Sequence, residues 1–241
     1  MLRGEFESMS AIERVVPAFF PSPIAWGAYV LNPSTHFFLC AFHKFADDML
    51  DVAKFCEKVA EMHLKSISPT GQYGFHVTTH HGNLRQNNAW NDSWESFFAG
   101  SLKSMLELEE ETQGKSKEIE ELQVPLFEKV IPRLLRPLKS GGRKIKPSLI
   151  HGDLWYGNAS TELESKEPMV YDACCFYAHT ENELGSWRPA RNKFGKAFNK
   201  AYHRQFHSAD PAEDYDDRVG LYSVYVTSLV LPKSKPSALT I

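Results

Sequence analysis

Between residues 5 and 16, Phe6, Met9, Ile12 and Val16 recur at intervals of three and four, the spacing that lays one apolar stripe along a helix. Pro17, Pro21 and Pro23 then end this helix and hold an extended connection. The pattern changes to short apolar runs in IAWGAYV (24–30) and HFFLCAF (36–42), with Asn32-Pro33-Ser34 between them as the expected turn of a hairpin. Helical spacing returns over 51–66, where Val52, Phe55, Val59 and Met62 share a face. Residues 67–90 follow no period and read as a long irregular connection of the kind that often carries function. A helix over 93–112, capped by Asp92 or Ser93, would bury Trp94, Phe97, Phe98, Leu102 and Met105. Polar residues 114–122 read as a solvated loop or a helix start. The next helix, over 124–138, would turn Leu126, Val130 and Leu134 inward and tolerate Pro125 only near its start. Residues 181–205 are helical in composition, and the tail loses helical periodicity after Leu231.

Two apolar runs too short for helices, PSLIH (147–151) and PMVYD (168–172), read as strands bracketing the most informative segment. That segment is His151-Gly152-Asp153-Leu154-Trp155-Tyr156-Gly157-Asn158, an H-x-D-x-x-x-x-N pattern, and Asp172 closes the second strand. Phosphoryl transfer needs this layout. One aspartate accepts or orients the proton of the attacking hydroxyl, while an asparagine and a second aspartate hold Mg²⁺ on the nucleotide phosphates. Both metal ligands are hard oxygens, as Mg²⁺ requires. Taken singly, Asp153, Asn158 and Asp172 also read as ordinary turn or strand-end residues; jointly they point to the chemistry.

Charge and composition narrow the picture. The 241 residues hold 27 Lys+Arg against 30 Asp+Glu, so no basic excess points to nucleic acid or an anionic membrane. A local basic stretch from Lys129 to Lys146 is broken by Pro132 and Pro137 and reads as solvated surface. A hydrophobic share of 42% suits a globular core and excludes a wholly disordered chain. No apolar run reaches the roughly 18 residues of a membrane span. Glu5, Glu7 and Glu13 interrupt the opening segment where a signal peptide would be apolar. Cys40, Cys56, Cys174 and Cys175 form no CxxC pair, so reduced, packed thiols and a cytoplasmic location are expected. His80-His81 lack a third ligand at metal-site spacing and read as surface histidines.

The octapeptide HGDLWYGN resembles the signature of the fructosamine/ketosamine 3-kinase family, relatives of the aminoglycoside and choline phosphotransferases, and is most similar to its fungal-type protein-ribulosamine 3-kinases. GEFESM (4–9), HFFLCAFH (36–43), the GFH…N…W…W…FF stretch (74–98) and YDACCFYAHTENELG (171–185) agree with it, so the resemblance covers residues 2–225. It implies an α+β, protein-kinase-like fold with a mostly helical C-lobe. It also implies transfer of the ATP γ-phosphate to the 3-hydroxyl of a ketose carried on a protein lysine or a free amine, a step in deglycation. By resemblance, Asp153 is the catalytic base, and Asn158 and Asp172 bind Mg²⁺. Cys40, Ala41 and Phe42 form the hinge against adenine, and Glu5 is the acid that pairs with an N-lobe lysine. Trp155 would stack on the sugar or the lysine stem, and Phe75 and His76 would face the same cleft. His179 and Glu181 would either hydrogen-bond a polyol or orient their loop.

Three features depart from the family's pattern. The first helix opens at Glu5, which leaves no room upstream for a phosphate-covering loop and its lysine, and Lys44 and Lys54 lie after the hinge. The expectation is therefore an N-terminally truncated member: an incomplete N-lobe over residues 1–45, a C-lobe over 46–241, and weak or no activity for this chain. Ala41 stands where the family often has an acidic hinge residue, and Ala178 replaces a usual glycine. A non-catalytic pseudokinase and a choline- or aminoglycoside-type phosphotransferase remain as alternatives. The sequence leaves open the oligomeric state and the choice between ribulosamine and fructosamine.

Overall fold

The computed structural model describes residues 1–47 and 49–230. Helix α1 (Leu2–Val15) buries Met9, Ala11 and Ile12 along the expected stripe. Strands β1 (Pro23–Tyr29) and β2 (Asn32–Cys40) form an antiparallel hairpin against it. The turn is not at Asn32-Pro33-Ser34. Tyr29 pairs with Asn32 and Ala28 with His36, so Val30 and Leu31 turn the chain and residues 33–35 bulge out of the ladder. Pro33 has no N–H for a ladder, and a bulge is where a strand accommodates it.

Helix α2 (Val52–Lys65) is capped by Asp51, whose Oδ1 accepts from the N–H groups of Ala53 and Lys54 at 2.9 and 3.0 Å. The connection after it is less irregular than its sequence suggests. It holds a miniature hairpin of β3 (His80–His81) and β4 (Leu84–Arg85), turning at Gly82 with φ +55°. Helix α3 (Trp94–Gln113) takes Ser93 as its cap.

Helix α4 (Lys117–Pro125) starts earlier than expected and runs through a π turn at Leu126–Val130 into α5 (Ile131–Leu135). Pro125 thus lies inside a helical run, its missing N–H and its ring acting on the turn before it, and a widened turn follows directly. The extra residue in that turn rotates the inward face. Val130, expected inside, is exposed, while Ile131, Leu134, Leu135 and Leu138 are buried.

The motif strands belong to separate ladders. β5 (Ser148–Ile150) pairs with β8 (Phe176–Ala178), and β6 (Ala159–Thr161) pairs with β7 (Pro168–Val170). The stretch of helical composition over 181–205 holds two short α-helices, α6 (Glu181–Gly185) and α7 (Lys196–Tyr202), separated around Pro189 and Gly195. Helix α8 (Tyr215–Val230) follows, and the expected loss of periodicity after Leu231 lies outside the described residues.

Aromatic packing ties these pieces together. Phe55 of α2 meets Trp187, Phe194 and Phe198 at ring distances of 6.1, 5.1 and 5.8 Å, and Trp94 of α3 meets Tyr222 of α8 at 5.9 Å. The four cysteines are free thiols, and burial pushes Cys56 up to about 12. Among the described residues no helix is long and apolar enough to cross a membrane.

Candidate active site

The chain turns sharply as it leaves β5. Gly152 has φ +85°, and a Cβ there would lie 2.5 Å from the Cys174 carbonyl oxygen, so this corner admits only glycine. Glu183, buried on α6, accepts the backbone N–H groups of His151 and Gly152. Burial holds the His151 imidazole below its ordinary pKa, which keeps it neutral. Its Nδ1 accepts the Asp153 N–H at 3.3 Å, which places the ring hydrogen on Nε2, 3.0 Å from the Tyr171 carbonyl that receives it. Cys174 N–H in turn donates to the His151 carbonyl at 2.9 Å, and Tyr171 N–H to the Asn158 carbonyl at 3.0 Å. These bonds flank Asp172 and hold it at φ +58°, a left-handed conformation uncommon for a residue with a Cβ. The loops carrying Asp153, Asn158 and Asp172 are thereby cross-bonded through one neutral histidine.

Within this frame Asn158 Nδ2 donates to both the carbonyl and Oδ2 of Asp153, at 2.9 and 3.0 Å. Its amide oxygen is the acceptor that remains for a cation. Asp153, Asn158, Asp172, Trp155 and Glu5 line one cleft of about 290 Å³, joined there by His80 and Gly82. Trp155 is 37% exposed and lies over Gly157, where a Cβ would fall 2.4 Å from the ring; it walls the cleft rather than packing in the core. Burial, and then the charge of Asp172, push the Glu5 carboxyl above its ordinary value. Burial and the charge of Glu5 raise the Cys40 thiol in the same way.

At the expected hinge, Ala41 N–H donates to the Ser22 carbonyl at 2.9 Å, so that donor is spent on the fold and not offered to adenine. Phe42 is 84% exposed. Among the described residues no group of three or more His, Cys, Asp or Glu side chains forms a ready metal cage. The cleft instead offers two hard oxygens, from Asp172 and Asn158, beside the crowded charge of Glu5 and Asp172. That donor set fits Mg²⁺, which binds few protein ligands and keeps water and phosphate oxygens for the rest.

The substrate-side expectations divide. His179 and Glu181 do not serve as polyol ligands, because both are buried and partnered inside the fold. Tyr222 receives the Trp94 indole N–H at 2.9 Å and gives its own hydroxyl hydrogen to His179 Nδ1 at 2.9 Å; burial holds that histidine down to about 4. Glu181 pairs with Arg218 of α8 at 2.7 and 3.0 Å and accepts the Ala209 N–H at 2.8 Å. Both residues orient their segment against α8. Phe75 and His76 are also displaced from expectation. They line a different cavity, of about 410 Å³, shared with Arg85, Gln86 and Asn88, and His76 pairs with Glu7 at 3.1 Å.

Two neighbours of the site escaped the sequence reading. His81, read as surface, places Nε2 2.8 Å from Asp153 Oδ1. Glu183 stands in the ENELG run among other polar residues, and no local pattern marks it as buried. Glu183→Gln is expected to lower stability by about 1–3 kcal/mol, because one carboxylate now satisfies a buried and a part-buried backbone donor and an amide has a single acceptor oxygen. The check is a denaturant midpoint at unchanged slope; an unmoved midpoint would show that the loop holds itself.

A family model described as fructosamine kinase matches residues 1–230. The chain is 30% identical over 233 residues to the chloroplastic protein-ribulosamine 3-kinase of Oryza sativa subsp. indica, covering 93% of this chain and 61% of that protein. It is 28% identical over 247 residues to the ketosamine-3-kinase of Mus musculus, covering 93% and 75%. The chain thus spans 61% to 64% of the length of the curated plant relatives it matches. Among solved structures, a candidate fructosamine-3-kinase of Thermobifida fusca superposes with a TM-score of 0.73 at 19% identity, over 96% of this chain and 75% of that one. A thermostable mutant of aminoglycoside phosphotransferase APH(4)-Ia superposes with a TM-score of 0.60 at 11% identity, over 93% and 74%. The fold is accordingly the protein-kinase-like one these enzymes share.

Proposed function

The chain belongs to the fructosamine kinase family, and from that premise we propose that its cleft transfers the γ-phosphate of ATP to the 3-hydroxyl of a ketosamine. The substrate is a ribulosamine or fructosamine adduct on a protein lysine or a free amine, and the reaction serves deglycation. The observation that carries this reading is the convergence of Asp153, Asn158, Asp172 and Trp155 in one cleft from separate ladders.

Asp153 accepts the proton of the attacking hydroxyl, and the Asn158 amide holds its carboxylate in place. Asp172 and the Asn158 amide oxygen hold Mg²⁺, which, when bound, neutralises the phosphate oxygens. Trp155 offers its exposed face to the sugar or the lysine stem. Residues 1–45 form the nucleotide side, with adenine packed against Cys40–Phe42 without a bond from the Ala41 N–H, and the chain from residue 46 onward forms the catalytic side. Four free thiols accord with a reducing, cytoplasmic setting.

The test is incubation of the purified chain with Mg-ATP and synthetic ribulosyl-lysine or fructosyl-lysine, followed by ³¹P NMR. A new phosphomonoester on the ketose 3-oxygen, accumulating slowly, is the expected result. A folded chain that binds Mg-ATP and transfers nothing would overturn the reading in favour of a non-catalytic nucleotide binder.

A further inference from the structure

The β3–β4 hairpin brings to the cleft a group that the proposed reaction has not used. The base of the hairpin is locked. Gln86 N–H donates to the Thr79 carbonyl at 3.0 Å, and its Nε2 donates to the Thr79 hydroxyl at 3.1 Å and the Cys174 carbonyl at 3.0 Å. Asn88 Nδ2 also donates to the Thr79 hydroxyl, at 2.8 Å, and Tyr225 donates to Gln86 Oε1 at 3.0 Å. Thr79, Gln86, Asn88 and Tyr225 are all buried, so the base cannot slide. The tip then turns at Gly82 and sets His81 Nε2 2.8 Å from Asp153 Oδ1, with the two side chains 15% and 21% exposed. Asn158 Nδ2 stands on the other oxygen, 3.0 Å from Oδ2. For His81 to be attracted at this distance, Nε2 must carry a hydrogen, because an imidazole lone pair facing a carboxylate lone pair would repel.

We propose that His81 is a positioning residue for phosphoryl transfer: it and the Asn158 amide grip the two oxygens of Asp153 and fix the plane of that carboxylate. This rests on Asp153 being the base. The terminal torsion of an aspartate has a broad, soft profile, so one anchor leaves the carboxylate free to swing. A second anchor removes that freedom. Each carboxylate oxygen has two acceptor directions, so a gripped oxygen still has one for the substrate hydroxyl. Orientation of this kind acts on the chemical step and leaves ground-state binding alone.

The experiment compares His81→Leu and His81→Gln in steady-state turnover of Mg-ATP and ribulosyl-lysine. His81→Leu is expected to lower kcat about 10–100-fold with both KM values within about twofold. His81→Gln, whose amide nitrogen reaches the place of Nε2, should recover most of the loss. A second measurement needs no turnover: ¹⁵N–¹H correlation of the histidine side chains in the ligand-free chain. The His81 signal should report a hydrogen on Nε2 and move on Asp153→Asn. Wild-type kcat in the leucine variant, or an effect on KM alone, would overturn the proposal. So would a His81 signal indifferent to Asp153→Asn. If the wild-type chain turns nothing over while the His81 signal does respond, the kinase reading falls and the role in turnover falls with it. If the wild type turns over and the leucine variant is unimpaired, only the His81 proposal falls.

Discussion

Asp153→Asn is expected to lower phosphate transfer by about 10²–10⁴-fold, the range that loss of a positioned general base commands. The substitution is nearly isosteric, and the amide oxygen can still accept from Asn158. What disappears is a site able to take the hydroxyl proton and, because the new amide nitrogen faces His81, the acceptor of the His81 Nε2 hydrogen. KM for both substrates should change little, because Asp153 is assigned no share of ground-state binding. The thermal midpoint should stay close to that of the wild type, since the loop is held by Glu183 and by the His151 bonds. The check is steady-state kinetics beside a melting curve. Activity within tenfold of the wild type would remove Asp153 from the base's role.

Arg218→Met is expected to have the largest effect on stability. The guanidinium is fully buried, pairs with Glu181, and donates to the Pro211 and Ala209 carbonyls at 2.6 and 2.7 Å. Methionine fills similar volume but leaves Glu181 buried without its counter-charge and two carbonyls without a donor. Breaking a buried pair from one side costs about 3–5 kcal/mol, on the order of 10 °C in melting temperature for a chain of this size.

The pH dependence gives the expectation a second edge. Burial by itself would raise the Glu181 carboxyl, yet His179 and Arg218 outweigh it and hold it below its ordinary value. A depressed folded pKa contributes stability that is fully present above the unfolded value, about 4.3, and is lost as pH falls through the folded one. In the variant, burial acts unopposed by Arg218, so protonating Glu181 relieves it. The deficit of Arg218→Met should therefore be largest near neutrality, begin to shrink as pH falls through the raised Glu181 pKa of the variant, and go on shrinking as pH falls through the depressed one of the wild type. A deficit that stays constant with pH would mean the loss is one of packing and carbonyl donors, with no uncompensated charge.

Several features needed only the order of residues. Helices α1, α2 and α3 follow from apolar spacing, and α3 also from Ser93 as its cap, because helix formation and capping act over a few neighbouring positions. The grouping of Asp153, Asn158 and Asp172 was legible because their spacing on two short strands is itself local information. Other features are decided by contacts between distant segments. The rotation of the inward face after Pro125 depends on a π turn that a regular period does not anticipate.

His179 and Glu181 carry chemistry that suits a polyol, but α8 supplies Tyr222 and Arg218 to absorb it. Phe75 and His76 lie on the stretch expected to face the cleft, yet it turns them into another cavity. His81, read as a surface residue, is carried to Asp153 by a hairpin whose base is bonded to Cys174 and Tyr225. The sequence by itself thus determined the family, helices α1 to α3 and the grouping of three polar residues that line one cleft. Which polar side chains face the cleft and which are consumed in holding it was decided by the tertiary structure. A buried polar group is stable only with a partner, and its partner here comes from a part of the chain that local pattern does not see.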